Sequence, residues 1–397
     1  MIDDTDPVLM RPDRLIAGGE ALARDADGRV VFVRGGVPGD ELTVTTIEEK
    51  GDWSRVLIKQ IVTPSPDRVE PPCPRRRQGC GGCDWQHIAV AAQLPSKVEI
   101  VRDALRRTAK LPDAELRAGR SVPDLGYRTT VRVVGDADRR AAFRLDRSHE
   151  TAPASDCMVA HPALLPVLDS IRLTPGLEIT LRTSAATGEI TARWDHASGD
   201  VTGLPEMVAI GTAAQLHENV AGHRFRVSAA SFFQSGPAAA ELLVDAVKRA
   251  APELGRARTV LDAYAGVGLF ALATTSPKSK LVTVETSKSA VADCRANLAG
   301  RNARIERGDF GGWRPDRGFA IDVAIADPSR AGLGRYGVGA MVSAEPPVLV
   351  LVSCDPVALA GDAALLTRHG YRHDGTEVLD VFPHTHHAEC VTRFVHI

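Results

Sequence analysis

Val260-Leu-Asp-Ala-Tyr-Ala-Gly-Val-Gly-Leu-Phe-Ala271 begins as an apolar strand and turns at Gly266 and Gly268 into a second apolar run. Glycines at a strand-to-helix turn let the backbone reverse sharply and approach a ligand closely. Outward from this stretch the pattern alternates. Buried-type strands are expected at 259–262, 281–285, 321–327 and 348–353, and helices at 238–250 and 289–298. That is the βαβ rhythm of an open parallel sheet. Two close strands at 375–381 and 389–397 suggest a terminal hairpin.

The remaining chain reads as two further units. Between residues 15 and 62, strands at 30–34, 41–47 and 55–61 are separated by turns such as Gly35-Gly36-Val37-Pro38-Gly39-Asp40, which suggests a small barrel. A joint with Pro64, Pro66, Pro71 and Pro72 follows. The middle is mixed, with an amphipathic helix at 93–109 and short strands at 129–134, 178–182, 189–194 and 224–228. The expected domains are therefore 8–63, 64–230 and 231–397. The fold class is α/β: a C-terminal Rossmann-like domain, an N-terminal β-barrel and a mixed α+β centre.

Composition is that of a globular chain, 44% hydrophobic and 25% charged, with a net charge of −2 that does not announce nucleic acid. Residues 64–150 differ, carrying 17 Lys+Arg against 12 Asp+Glu, with Arg75, Arg76 and Arg77 in a row. A local basic face of this kind can bind phosphates, although a solvated surface has the same composition. No apolar run reaches the ~18 residues of a membrane span, and the acidic N-terminus has no secretory pattern. A cytoplasmic location without membrane partners is expected. Seven cysteines and no leader argue for metal ligation or catalysis over a disulfide framework.

Candidate chemistry gathers at the predicted strand ends. Glu285 ends the strand after the glycine turn, where a carboxylate can accept from ribose hydroxyls of a nucleoside cofactor, whether NAD or S-adenosylmethionine. Asp309 follows the third strand and is placed to reach an adenine, or to cap a turn. Asp327-Pro-Ser-Arg330 closes the fourth strand, and Ser353-Cys354-Asp355-Pro356 closes the fifth. Ligands of open α/β sheets sit at such carboxyl ends. A thiol there ordinarily packs, but it becomes a nucleophile if its pKa falls from ~8.5. Glu389, entering the last strand, is the candidate base. Cys390 should point to the opposite face as filling. His384, His386 and His387 are close in sequence but lack a convincing ligand partner set.

Cys73-Pro-Arg-Arg-Arg-Gln-Gly-Cys80-Gly-Gly-Cys83 brings three thiols onto a glycine-rich turn, and Cys157 follows 74 residues after Cys83. Such a set suits a four-iron cluster or a structural zinc, and spacing leaves both open.

With these residues in hand, the chain resembles the RNA uridine C5-methyltransferases over essentially its whole length, and most of all the bacterial members acting on large-subunit ribosomal RNA. Phe233-Gln234, Leu261-Asp-Ala-Tyr264-Ala-Gly266, Asp327-Pro-Ser-Arg330, Ser353-Cys354-Asp355-Pro356 and His387-Ala-Glu389-Cys390 match the family's signatures in order. The resemblance implies an N-terminal TRAM domain, an OB-like RNA-binding module. It also implies a [4Fe–4S] site on Cys73, Cys80, Cys83 and Cys157. Three departures occur. Ser329 stands where a second proline is usual, Ala265 where a cysteine is common, and six residues rather than five separate the first two cluster cysteines.

The resemblance further implies transfer of a methyl group from S-adenosylmethionine to carbon 5 of a uridine, most plausibly in 23S rRNA. Cys354 would add at carbon 6, and Glu389 would remove the carbon-5 proton. Gln234, Tyr264, Gly266, Glu285, Asp309 and Asp327 would hold S-adenosylmethionine. Asp327 and Arg330 would contact the substrate. The base must leave its stack to arrive. Rivals are a tRNA uridine methyltransferase, a non-catalytic RNA-binding factor and an iron–sulfur oxidoreductase. A monomer is expected.

Overall fold

The computed structural model describes residues 9–316 and 318–397, so residue 8, where the first expected domain begins, lies outside them. The N-terminal segment forms one six-stranded sheet. Its strands are β1 (Leu9–Met10), β2 (Arg14–Leu15), β3 (Ala21–Arg24), β4 (Val30–Arg34), β5 (Glu41–Glu49) and β6 (Trp53–Thr63), in the order β1-β5-β6-β4-β3-β2. Its two edge strands are consecutive in the chain, joined by only Arg11, Pro12 and Asp13. A flat sheet of six strands at ~4.8 Å spacing would be too wide for a linker of ~3.5 Å per residue. The sheet must therefore curl until its edges approach.

The middle segment starts with a short helix α1 (Pro74–Arg77) and a long one, α2 (Val90–Ala104), which continues as a π-helical turn over Leu105–Ala109. Strand β7 (Leu116–Ser121) follows. A second six-stranded sheet, in the order β10-β9-β8-β12-β13-β15, comprises β8 (Thr130–Gly135), β9 (Ala141–Arg144), β10 (Thr151–Pro153), β12 (Glu178–Thr183), β13 (Ile190–Trp194) and β15 (Val208–Ile210). Helix α3 (Leu165–Ser170) and the small pair β11 (Arg172–Leu173) and β14 (Val201–Thr202) pack beside it. The hairpin β16 (Gln215–Val220) and β17 (His223–Ser228) leads into the last segment.

There the alternation expected from sequence is realised. Helix α4 (Pro237–Ala250) precedes β18 (Thr259–Ala263), α5 (Leu269–Ala273), β19 (Lys280–Glu285), α6 (Lys288–Asn297), β20 (Ala303–Arg307), β21 (Val323–Ala326), α7 (Gly334–Ala344), β22 (Val348–Ser353), α8 (Pro356–Arg368), β23 (Tyr371–Asp380) and β24 (Glu389–His396). They build an eight-stranded sheet in the order β20-β19-β18-β21-β22-β24-β23-β7. The strands β18 to β22 are parallel to one another, and β24 enters antiparallel between β22 and β23. Strand β22 is buried on both faces, which is why it reads as a continuous apolar run. Alternate residues feed two cores: Val350 and Val352 on one side, Leu349 and Leu351 on the other. The sheet's far edge is β7, from the middle segment, parallel to β23. Among the described residues no helix is long and apolar enough to cross a membrane.

Candidate active site

The carboxyl ends of β18, β19, β21 and β22 meet at one crevice. After β18 the backbone turns with positive φ at Tyr264 (60°), Gly266 (54°) and Gly268 (86°). The two glycines serve different ends. A side-chain atom added at Gly268 would stand 3.1 Å from Cys294 Sγ, so this glycine lets α6 pack closely; at Gly266 the same atom meets open space. Glu285 closes the turn, its Oε2 accepting from Gly266 N at 3.0 Å and its Oε1 from Ser287 N at 2.6 Å. The Tyr264 ring packs on Phe310 at 5.3 Å between centroids. Burial, then the nearby Asp309 carboxylate, pushes the Tyr264 hydroxyl up to about 12. Asp309 itself is exposed beside this wall.

Asp327 stands beside this turn because β21 runs in parallel register with β18, Ala326 opposite Ala263. Gln234 Nε2 donates to Asp327 Oδ2 at 3.2 Å, and burial lifts the Asp327 carboxyl to about 7. Gln234 is held by its own loop: Ser231 Oγ and Ser228 N donate to the buried Asp293 at 2.6 and 2.8 Å.

The expected nucleophile and base are brought together by strand register. Ser353 on β22 pairs with Cys390 on β24 in antiparallel register. One step beyond that last pair lie Cys354, just past the end of β22, and Glu389, the first residue of β24, and the Glu389 carboxyl is near enough to act on the Cys354 thiol. Asp355 stops β22 and caps α8, its Oδ1 accepting from Val357 N at 2.9 Å and Ala358 N at 2.8 Å, with Pro356 in the first turn. The Asp-Pro after the cysteine is thus a helix start, and it leaves a half-buried thiol at the strand end. Burial foremost, then Glu389 and Asp327, pushes Cys354 up to about 11, with Arg330 opposing. Burial and Asp327 raise Glu389 well above the usual carboxylate range.

Two groups near this site were given no role by sequence. Asp262, lifted to about 7 by burial, accepts from Ala271 N at 2.9 Å, but its Oδ1 has no partner. It lay within the stretch that decides the fold, yet no spacing rule distinguishes it there. The histidines have separate partners rather than a shared one. His384 N donates to Gln93 Oε1 at 2.7 Å, His386 Nδ1 lies 2.6 Å from Asp84 Oδ2, and His387 Nε2 accepts from Arg330 Nη2 at 3.1 Å.

Cys73, Cys80, Cys83 and Cys157 all line one cavity of about 220 Å³, together with Arg76 and Arg128. The Arg75–Asp156 ion pair, at 2.9 Å, links the cysteine turn to the residue before Cys157. Burial raises the thiols of Cys80, Cys83 and Cys157, Cys83 to about 12, and Arg128 opposes this in each. Among the described residues no three His, Cys, Asp or Glu are close enough to hold a single metal ion.

No family model matches. An uncharacterized RNA methyltransferase of Streptomyces avermitilis is 35% identical over 412 residues, covering 94% of this chain and 94% of its own. The 23S rRNA (uracil(1939)-C(5))-methyltransferase RlmD of Halomonas elongata is 30% identical over 426 residues, covering 95% of this chain and 87% of its own. The chain belongs to the RNA uridine C5-methyltransferase family. Its fold is that of the Pyrococcus abyssi tRNA (uracil-54, C5)-methyltransferase solved with S-adenosyl-L-homocysteine, at a TM-score of 0.74 and 22% identity over 97% of this chain and 99% of that one.

Proposed function

We propose that the protein transfers a methyl group from S-adenosylmethionine to carbon 5 of a uridine in RNA, through a covalent bond between Cys354 and carbon 6. The observation that carries this is the Cys354–Glu389 juxtaposition across β22 and β24, with Asp327 beside it. The donor site fits: open space at Gly266, the Glu285 carboxylate and the buried, unpartnered Asp262 Oδ1 all lie at the carboxyl ends of β18 and β19 or the turn between them. Gln234, Tyr264, Gly266, Glu285, Asp309 and Asp327 would hold the donor, which when bound supplies an electrophilic methyl on a sulfonium.

Cys354, whose thiol is only half buried, gives its proton to solvent and adds through Sγ to carbon 6. The carbon 5–carbon 6 π pair moves to the carbon-4 oxygen as an enolate, which makes carbon 5 nucleophilic. Arg330 steadies that charge, as does Asp327 when it carries its proton and donates to the uracil edge. Carbon 5 would bond the methyl as the sulfonium–methyl bond breaks to leave a neutral thioether, and the carbon-4 carbonyl returns; Glu389 then takes the carbon-5 proton, the carbon 5–carbon 6 double bond re-forms and the Cys354–carbon 6 bond breaks. The raised affinity of Glu389 for a proton suits a base.

The same reading assigns the units. Residues 8–63 form the TRAM barrel, 64–230 the centre and 231–397 the methyltransferase domain. A cleft of about 430 Å³ has Arg34, Arg76, Arg128, Arg147 and Arg330 in its lining against the carboxylates of Glu20, Asp84 and Asp146, a basic excess that supports an RNA path past the active site. The cysteine cavity supports a [4Fe–4S] cluster over zinc, since zinc draws its sulfurs to ~2.3 Å of one point. Arg128 has no carboxylate partner among the described residues, so an anionic cluster would supply one. The Halomonas relative acts on 23S rRNA, which favours a ribosomal substrate.

The test is incubation with S-adenosylmethionine and 5-fluorouridine-containing RNA, from 23S rRNA and from tRNA. A denaturation-resistant adduct with 23S fragments, lost in Cys354→Ala, is expected. An adduct that survives Cys354→Ala sinks the mechanism, and one confined to tRNA moves the substrate.

A further inference from the structure

The residue after Cys83 reaches the active site by an unbroken chain of contacts. Asp84 Oδ2 lies 2.6 Å from His386 Nδ1, and Asp84 Oδ1 accepts from His386 N at 3.3 Å. A carboxylate only accepts here, so Asp84 dictates that the His386 proton sits on Nδ1. The pair is roofed by the β2–β3 turn: a side chain at Gly19 would meet Asp84 Oδ2 at 2.6 Å and His386 Cβ at 3.0 Å. The His386 ring lies against the His387 ring, 4.1 Å between centroids. Burial foremost pushes His387 down to about 3, so it is neutral and accepts from Arg330 Nη2 at 3.1 Å. Arg330 in turn is the cation that opposes the raised pKa values of Cys354 and Glu389. The backbone is tied at the same place, Trp85 N donating to His384 O at 2.9 Å.

We propose that Asp84 is a positioning residue: through His386 it holds His387 against Arg330, so the cysteine turn sets where the substrate-facing guanidinium stands. This rests on the proposed uridine chemistry, in which Arg330 steadies the enolate. Asp84 is linked to the reacting groups through His386, His387 and Arg330, on the side of the arginine-lined cleft rather than at the glycine turn of the donor, so its removal should slow turnover rather than weaken donor binding.

Asp84→Ala is expected to lower kcat about tenfold with KM for S-adenosylmethionine unchanged, and Asp84→Asn, which keeps one acceptor, to recover part of the loss. In an Arg330→Ala background Asp84→Ala should cost nothing further. Amide hydrogen exchange gives a readout independent of activity: residues 384–388 should exchange faster in Asp84→Ala while β22 and β24 do not. His386→Gln repeats both measurements without touching the cysteine turn, should Asp84→Ala lose its fold or its absorption near ~400 nm. Additive losses with Arg330→Ala, or unchanged exchange at 384–388, overturn the proposal. If wild type forms no 5-fluorouridine adduct, the uridine reading fails, and the exchange comparison still decides whether Asp84 holds the loop.

Discussion

At the scale of single residues, Cys354 presents a physical difficulty. Its thiol is held at about 11 by burial and by two acidic neighbours, which is the wrong direction for a nucleophile. The sign of each influence shows how it would be relieved. Removing a negative neighbour favours the thiolate and lowers the pKa; a cation nearby does the same. Glu389→Gln should therefore speed alkylation of Cys354 by iodoacetamide at fixed pH between 7 and 9, where Glu389 has lost its proton, and an unchanged rate across that range would show that Glu389 carries no charge beside the thiol there. The same substitution should lower turnover by about 10²–10⁴-fold. Because the carbon-5 proton then stays, adduct should accumulate on ordinary uridine RNA, visible as a denaturation-resistant band absent from wild type.

At the scale of elements, the glycine turn and the β22–β24 ladder do most of the positioning. Gly266 and Gly268 both sit at positive φ, so alanine at either costs roughly 1–3 kcal/mol of backbone strain. Only at Gly268 is there also a contact to relieve, with Cys294 on α6. Thermal denaturation should show Gly268→Ala less stable than Gly266→Ala. Calorimetric titration should show the larger loss of S-adenosylmethionine affinity in Gly266→Ala, whose added methyl would enter the open cradle. Equal effects in both assays would mean that the crevice lies elsewhere. These elements were legible before the structure. The strand ends at 262, 285, 327 and 353 came from apolar runs closed by polar residues, and observed β22 spans the expected 348–353. Strand β7 was not legible: Leu116–Ser121 is a short, largely exposed run with Arg117 and Arg120, and only pairing with β23 makes it a strand.

At the scale of the molecule, helix α2 joins the segments through buried polar groups. Lys97 Nζ donates to Asp380 at 2.6 Å and to Phe382 O at 3.2 Å, with both side chains buried. Four residues earlier on α2, Gln93 bonds Ile88 O and His384 N. These contacts pin the loop between β23 and β24 that delivers Glu389. Removing one partner of a buried ion pair leaves the other uncompensated, at a cost of ~3–5 kcal/mol. Lys97→Met should show a loss of that size in urea denaturation, and much of it should return in Lys97→Met/Asp380→Leu. A double variant no better than the single one would show that the pair supplies more than charge balance.

The sequence by itself determined the sheet, its glycine turn, the strand ends that bear Asp327 and Cys354, and the family. These are local signals, carried by hydrophobic period and by residue types at fixed spacing. Only the tertiary structure decided that Glu389 faces Cys354, that β7 completes the sheet and that the histidines serve Asp84, Gln93 and Arg330 separately. Each of these joins residues far apart in the chain, from 35 between Cys354 and Glu389 to 302 between Asp84 and His386. Register and packing set such pairs, and neither is written in any local stretch of the chain.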